Sequence, residues 1–214
     1  MPSRTLSSRP SSRRRIERYS FYERSVHWLA ALTFVYSALT GLALFSPKLL
    51  WIASVFGGGE VLRGWHPWGG VLFSVALALM FLKWARQMRI DADDRKWLRG
   101  AHRYARHDDE GLPPSGKFNG GQKLLFWLQV LATLVLLSSG VVLWFPEATG
   151  QGLRLAAIVL HSSTAVLSMS LIVLHVYMGT AAVPGSFEAM TRGEVSEEWA
   201  REHHAKWSRE VSGS

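Results

Sequence analysis

Four long apolar runs limit what this chain can fold into more than any other feature. They cover about 26–45, 67–84, 124–145 and 153–183, and the charged residues fall between them. An α-helix rises about 1.5 Å per residue, so roughly 20 apolar residues cross a bilayer core. In lipid, backbone groups are satisfied only inside helices or closed barrels, and none of these runs alternates with the period of a barrel strand. The sequence therefore predicts an all-α fold, an integral membrane four-helix bundle over 16–183. A loop at about 86–121 joins the second and third helices. A Ser/Arg/Pro-rich head (1–15) reads as a flexible basic extension, and 184–214 as a tail.

The basic residues give the bundle an orientation. Residues 1–25 carry seven Lys and Arg, 83–123 carry ten, and the tail carries four; the two opposite loops carry only Lys48, Arg63 and Arg154. Basic residues favour the cytoplasmic side, so both termini are expected in the cytoplasm and the bundle in a bacterial cytoplasmic (inner) membrane. The same bias accounts for the formal charge of +8 without invoking nucleic acid. Arg13-Arg14-Arg15 then sits against anionic membrane lipid. The first run is too long for the apolar core of an export signal and ends in Ser46-Pro47-Lys48, with no small-residue cleavage site. A transporter is disfavoured, because no internal repeats or broken helices stand out.

The chain has no cysteine. This excludes disulfides, thiolate zinc, iron–sulfur ligation by this chain, cysteine nucleophiles and covalent haem attachment through CxxCH.

Inside the fourth run, LHSSTAVLSMSLIVLH (160–175) places His161 and His175 fourteen residues apart. At ~100° and ~1.5 Å per residue, the two rings leave nearly one face, about 40° short of four full turns, and lie about 21 Å apart along the axis. Ionisable residues within a membrane helix are rare and usually functional. His27 and His66 are expected at the starts of the first and second helices, the latter just ahead of a proline suited to a first turn. Depths then match in two pairs, His27 with His175 and His66 with His161. Alone, His27 and His66 would pass as interface residues beside Trp28 and Trp65. In pairs, the four suit the axial ligation of two haem irons, non-covalent and b-type, with both axial positions filled. The ~21 Å gap forbids one zinc or copper centre drawing on all four. Gly41, Gly69, Gly70, Gly140, Ser162, Ser163 and Ser168 are small residues that would let a flat ring approach. His102, His107, His203 and His204 are expected to be solvated.

Between the second and third runs, GLPPSGKFNGGQK (111–123) reads as a punctuated loop in which Asn119 caps or precedes the third helix. It is either an ordinary helix start or a pocket whose amides meet quinone carbonyls.

Several stretches carry a family resemblance: R-x-x-x-x-E-R-x-x-H-W (18–28), W-H-P-W-G-G (65–70), G-L-P-P-S-G-K-F-N-G-G-Q-K (111–123), the two histidines of the fourth run, and G-E-V-S-E-E-W-A-R-E-H-H-A-K-W (193–207). Over roughly 16–210 the chain resembles the gamma subunit, the membrane cytochrome b, of respiratory formate dehydrogenases. The resemblance implies two haem b groups on the four histidines, paired as above. It implies a menaquinone or other quinone site at Asn119, Gly121 and Gln122 beside His175. It also implies an iron–sulfur beta subunit and a molybdenum- or tungsten-pterin catalytic alpha subunit as partners. Electrons would pass from the outer side to a quinone at the cytoplasmic side, and this chain would not itself oxidise formate. The rival readings are a cytochrome b of another membrane oxidoreductase, of hydrogenase or thiosulfate reductase type, and a haem-free membrane anchor.

Overall fold

The computed structural model describes residues 14–104 and 111–213. In chain order its strands and α-helices are β1 (Arg15–Glu17), α1 (Phe21–Phe45), α2 (Ile52–Val55), α3 (Gly59–Trp84), α4 (Ala92–Arg99), α5 (Ala101–Tyr104), α6 (Gly120–Trp144), α7 (Gln151–Tyr177), α8 (Ser186–Thr191), β2 (Glu194–Ser196), α9 (Glu197–His203) and α10 (Ala205–Ser212). Four of these, α1, α3, α6 and α7, are long and apolar enough to cross a membrane, the last running on through a π turn to Ala182. Large apolar side chains point outward along all four, as with Leu82 at 79% and Val173 at 69% exposed. Continuous apolar surface of this kind suits hydrocarbon.

Local chemistry sets where the helices start. Ser20 and Glu23 form a reciprocal capping box at α1, and Asn119 and Gln122 form one at α6. The second spanning helix begins earlier than the apolar run suggests. It starts at Gly59, so His66 and Pro67 lie inside it and not at its start. A proline removes one helical N–H and crowds the preceding turn, but membrane helices absorb this. Upstream, Gly58 turns the chain at φ 103° and the following turn buries Leu62 completely.

The bundle is two antiparallel hairpins. Helix α1 packs chiefly on α3, and α6 on α7. In the middle of the second hairpin, Gln129 Nε2 donates to Ser168 O at 3.2 Å and Ser168 Oγ donates to Gln129 Oε1 at 2.8 Å, both residues being buried. Between two buried residues, these reciprocal bonds tie α6 to α7.

The first and last described residues lie at one end of the bundle, here called basal, where β1 pairs antiparallel with β2. Residues 15–20, the 111–118 loop and the tail form a single packed body around Tyr19, Trp84, Phe118, Val195 and Trp207. Arg18 is its centre. Its Nη2 donates to Lys117 O at 2.6 Å and to His204 Nε2 at 3.0 Å, and its guanidinium lies 4.9 and 5.0 Å from the rings of Trp199 and Trp207. Glu23 accepts from Trp84 Nε1 and Lys117 Nζ, Arg24 donates to Thr191 O, and Trp28 Nε1 donates to Met190 O. The start of α1 thus holds the end of α3, the loop and the tail together.

His204 corrects an expectation. It is 2% exposed, not solvated, and its Nδ1 lies 2.7 Å from Gly116 O. Because arginine only donates, Nε2 must accept and Nδ1–H must donate to the carbonyl, which requires the neutral ring. The sequence hides this because the partner, Arg18, is 186 residues away. His203 is half-buried, 5.1 Å from the Trp199 ring, whereas His102 is exposed as expected. His107 and most of the basic head lie outside the described residues.

At the start of α6, Lys123 and Asp94 form a buried ion pair at 2.6 Å. A Cβ on Gly120 would meet Asp94 O at 2.9 Å, and one on Gly121 would meet the Trp97 ring at 3.1 Å. The two glycines therefore let α4 lie directly on the first turn of α6.

Two predictions follow from this packing. Ser168→Ala leaves the Gln129 carbonyl unpaired between helices and should cost about 1 kcal/mol, read as lowered resistance of the folded chain to SDS. Burial first, and the Arg18 charge after it, hold the His204 pKa well below 6.5. An undocked tail then binds the proton more readily than a docked one. Docking is fully favoured above about pH 6.5 and weakens as pH falls from there toward the lowered value. In the full chain, protease nicking of the tail should rise between about pH 7.5 and 5.5, relative to His204→Gln, whose amide can make the same two contacts without titrating.

Candidate functional site

The four histidines of the long helices meet in two pairs across the hairpins. The ring centres of His27 (α1) and His175 (α7) are 6.1 Å apart with planes at 58°. Those of His66 (α3) and His161 (α7) are 6.3 Å apart at 73°. Both pairs draw on α7, which is helical without a break from Gln151 to Tyr177. The spacing of ~21 Å read from the sequence therefore holds between the pairs.

These distances fit an iron porphyrin. Imidazole nitrogens about 2 Å from a metal, on opposite faces, put ring centres roughly 6–6.5 Å apart. Direct ring packing at that separation is the simpler alternative, and the surroundings of the distal pair leave room for a cofactor. Around the distal pair, His66 and His161, lies an apolar cavity of about 740 Å³ lined by all four long helices. That is the size of a small-molecule or cofactor site. Ser37 and Thr133 both line it, and their hydroxyls are buried without a hydrogen-bond partner among the described residues. Arg63 also lines it, a cation suited to the carboxylates of a porphyrin. In the basal pair, His27 Nδ1 is buried and likewise has no partner. Among the described residues no three His, Asp or Glu side chains converge to hold a bare metal ion. Each pair thus offers two ligands, the number a haem iron needs from the protein.

The distal rings are tied down by two hydroxyls. Thr40 Oγ1 lies 2.8 Å from His66 Nδ1, and Ser139 Oγ lies 3.0 Å from His161 Nδ1. Each hydroxyl also donates to the carbonyl one turn back, Thr40 to Tyr36 O at 2.7 Å and Ser139 to Val135 O at 2.6 Å. The residue after each hydroxyl is a glycine on which the ring rests. A Cβ on Gly41 would stand 3.2 Å from His66 Cε1, and one on Gly140 would stand 3.4 Å from His161 Cε1. Gly70 and Ser162 line the same cavity, while Ser168 is spent on Gln129.

Asn119 and Gln122 sit at the basal end, where α6 begins. Asn119 Oδ1 accepts from Gln122 N at 2.9 Å, and Gln122 Oε1 accepts from Asn119 N at 3.0 Å. Both oxygens serve the helix cap, while neither side-chain NH2 has a partner among the described residues. Gly121 stands against Trp97. Sequence reasoning missed Thr40, Ser139 and the role of Arg18. A signal for the first two exists: a hydroxyl residue followed by glycine occurs within the first and third apolar runs, in each case one helix before a distal histidine.

The sequence is similar to known proteins along most of its length. A family model described as prokaryotic cytochrome b561 matches residues 18–193. The nitrate-inducible formate dehydrogenase cytochrome b556(Fdn) subunit of Escherichia coli K12 is 31% identical over 94% of this chain and 94% of its own length. The formate dehydrogenase cytochrome b556(fdo) subunit of the same strain is 33% identical over 92% of this chain and 93% of its own. The formate dehydrogenase cytochrome b556 subunit of Haemophilus influenzae is 32% identical over 92% of this chain and 83% of its own. A bundle of four apolar helices bearing paired histidines, matched by that model along most of its length, belongs to the prokaryotic cytochrome b561 family.

Proposed function

We propose that this chain is the di-haem membrane cytochrome b subunit of a formate dehydrogenase. His66 and His161 would ligate one haem b near the outer face of the bacterial cytoplasmic membrane, and His27 and His175 a second near the cytoplasmic face. The observation that carries this reading is the pair of ring separations, 6.3 and 6.1 Å, on one continuous helix. When bound, the haems supply one-electron transfer, linking an iron–sulfur beta subunit outside, fed by a molybdenum- or tungsten-pterin alpha subunit, to menaquinone or another quinone inside. The chain itself contributes ligation, burial and orientation.

Sidedness rests on charge. Among the described residues the basal end carries every Lys and Arg except Lys48, Arg63 and Arg154, so we take the basal end as cytoplasmic with both termini inside. This puts Asn119, Gly121 and Gln122 at the inner face, close to where α1 and α7 present the basal pair. The cap fixes both amides through their oxygens, leaving each NH2 free to donate to a quinone carbonyl. Gly121 seats Trp97 beside them. Quinone reduction on this side draws its two protons from the cytoplasm. Each electron that crosses against 100 mV requires about 2.3 kcal/mol of driving force.

The purified chain should hold two b haems. Either His66→Ala or His161→Ala should leave one, and His27→Ala or His175→Ala should leave the other, as counted by pyridine haemochrome per polypeptide. A native ratio other than two would reject the assignment. Asn119→Asp keeps the capping oxygen and removes the donor. Haem content should then stay native while quinone reduction falls about tenfold, the equivalent of one ~1.4 kcal/mol hydrogen bond.

A further inference from the structure

We infer that Thr40 and Ser139 are positioning residues that fix the tautomer of the two distal histidines and set the distal haem to the lower reduction potential of the two. This rests on the di-haem reading above. It begins from hydrogen count. A threonine or serine hydroxyl has one proton to give. In both residues the oxygen lies 2.6–2.7 Å from the carbonyl one turn back, at Tyr36 and at Val135. That carbonyl can only accept, so the hydroxyl proton is committed to it. The oxygen facing the ring must then accept, and the ring must carry its proton on Nδ1. This leaves Nε2 as the lone-pair nitrogen in both His66 and His161.

The arrangement is built twice. Thr40-Gly41 lies on α1 and holds a ring on α3; Ser139-Gly140 lies on α6 and holds a ring on α7. In each hairpin the hydroxyl comes from the helix packed against the one that bears the ligand. Each glycine seats the ring it touches, so hydroxyl and glycine together set the ring's angle.

The basal pair lacks this support at His27. Its Nδ1 is buried with no hydrogen-bond partner among the described residues. A hydrogen bond that draws on the Nδ1 proton makes the imidazole a more basic, more electron-rich ligand. Such ligands favour the ferric over the ferrous iron. Two anchored rings at the distal site, against at least one unanchored ring at the basal site, therefore make the distal haem the harder to reduce. Electrons entering at the distal end then run downhill toward the basal end, a bias written into two side chains that touch neither haem iron nor quinone.

The test is a redox titration of the full chain purified in detergent, with the two haems assigned by which component His161→Ala and His27→Ala remove. The native low-potential component should be the one lost in His161→Ala. In Thr40→Val and Ser139→Ala, singly and together, that component should become at least tenfold easier to reduce in the double variant, a rise of 59 mV for one electron, while the other stays put. Thr40→Ser and Ser139→Thr keep the hydroxyl and should return the native potential. Loss of the distal haem in the hydroxyl-free variants, with retention in the hydroxyl-keeping ones, supports the same role. An unmoved low-potential component, an equal shift of both, or a native low-potential haem that maps to His27 overturns the inference and leaves the di-haem reading standing. A native chain without two haems overturns both.

Discussion

Everything at the two sites depends on α7 staying one unbroken helix. Its geometry alone sets the distance and the angle between His161 and His175, about 21 Å and about 40°. No other element can adjust either value. The rest of the bundle has the task of bringing one imidazole to each, and it does so from different helices of the first hairpin, His27 from α1 and His66 from α3. The hairpins pack closely within themselves and leave room between themselves, and the distal cavity is that room. A bundle that filled this space with side chains would be better packed and would hold no cofactor.

The basal body shows which contacts hold the termini in place. The exposed pairs of Arg15 with Glu188 and Glu194 are solvated and contribute little. Arg18 is 4% exposed and is matched by a carbonyl, a neutral imidazole and two indole faces. Removing any one partner there leaves a buried polar group unmatched, which is the expensive case. The 18–28 stretch therefore joins two functions in a few turns. Arg18, Glu23, Arg24 and Trp28 close the basal body, and His27 faces His175 just above it. Next to the basal pair, Trp28 reaches the tail at Met190 O and Phe187, whereas the distal pair is held by hydroxyls within the helices.

How much of this was legible in the sequence follows from the range of each interaction. The four spans, the pairing of the histidines by depth and the capping of α6 by Asn119 depend on hydrophobic runs and on spacing within one segment, so they read directly from the chain. Pro67 misled because proline is both a first-turn residue and a tolerated guest inside membrane helices, and nothing local separates the two roles. His204 misled because a histidine in a charged stretch looks solvated until Arg18 is brought to it by β1 pairing with β2. Thr40 and Ser139 show in the sequence only as a hydroxyl residue ahead of a glycine in an apolar run. Their partners are fixed only when the hairpins form, and their role emerges only from counting protons in space.

That count extends to the whole interior. In a low-dielectric bundle a polar group is either paired or in use, because leaving it bare is costly. Gln129 and Ser168 pair with each other, and Thr40 and Ser139 are each doubly engaged. Beyond the basal rim, the buried side-chain atoms without a partner among the described residues are His27 Nδ1, Ser37 Oγ and Thr133 Oγ1. One belongs to a histidine of the basal pair and the other two line the distal cavity. Among the described residues, unpaired buried side-chain atoms thus fall at the two histidine sites and also in the basal body, at Arg18 Nη1 and Arg24 Nε, while Gln129 and Ser168 satisfy each other between α6 and α7. A bundle that served only as an anchor would have no reason to leave polar atoms bare at the histidine sites.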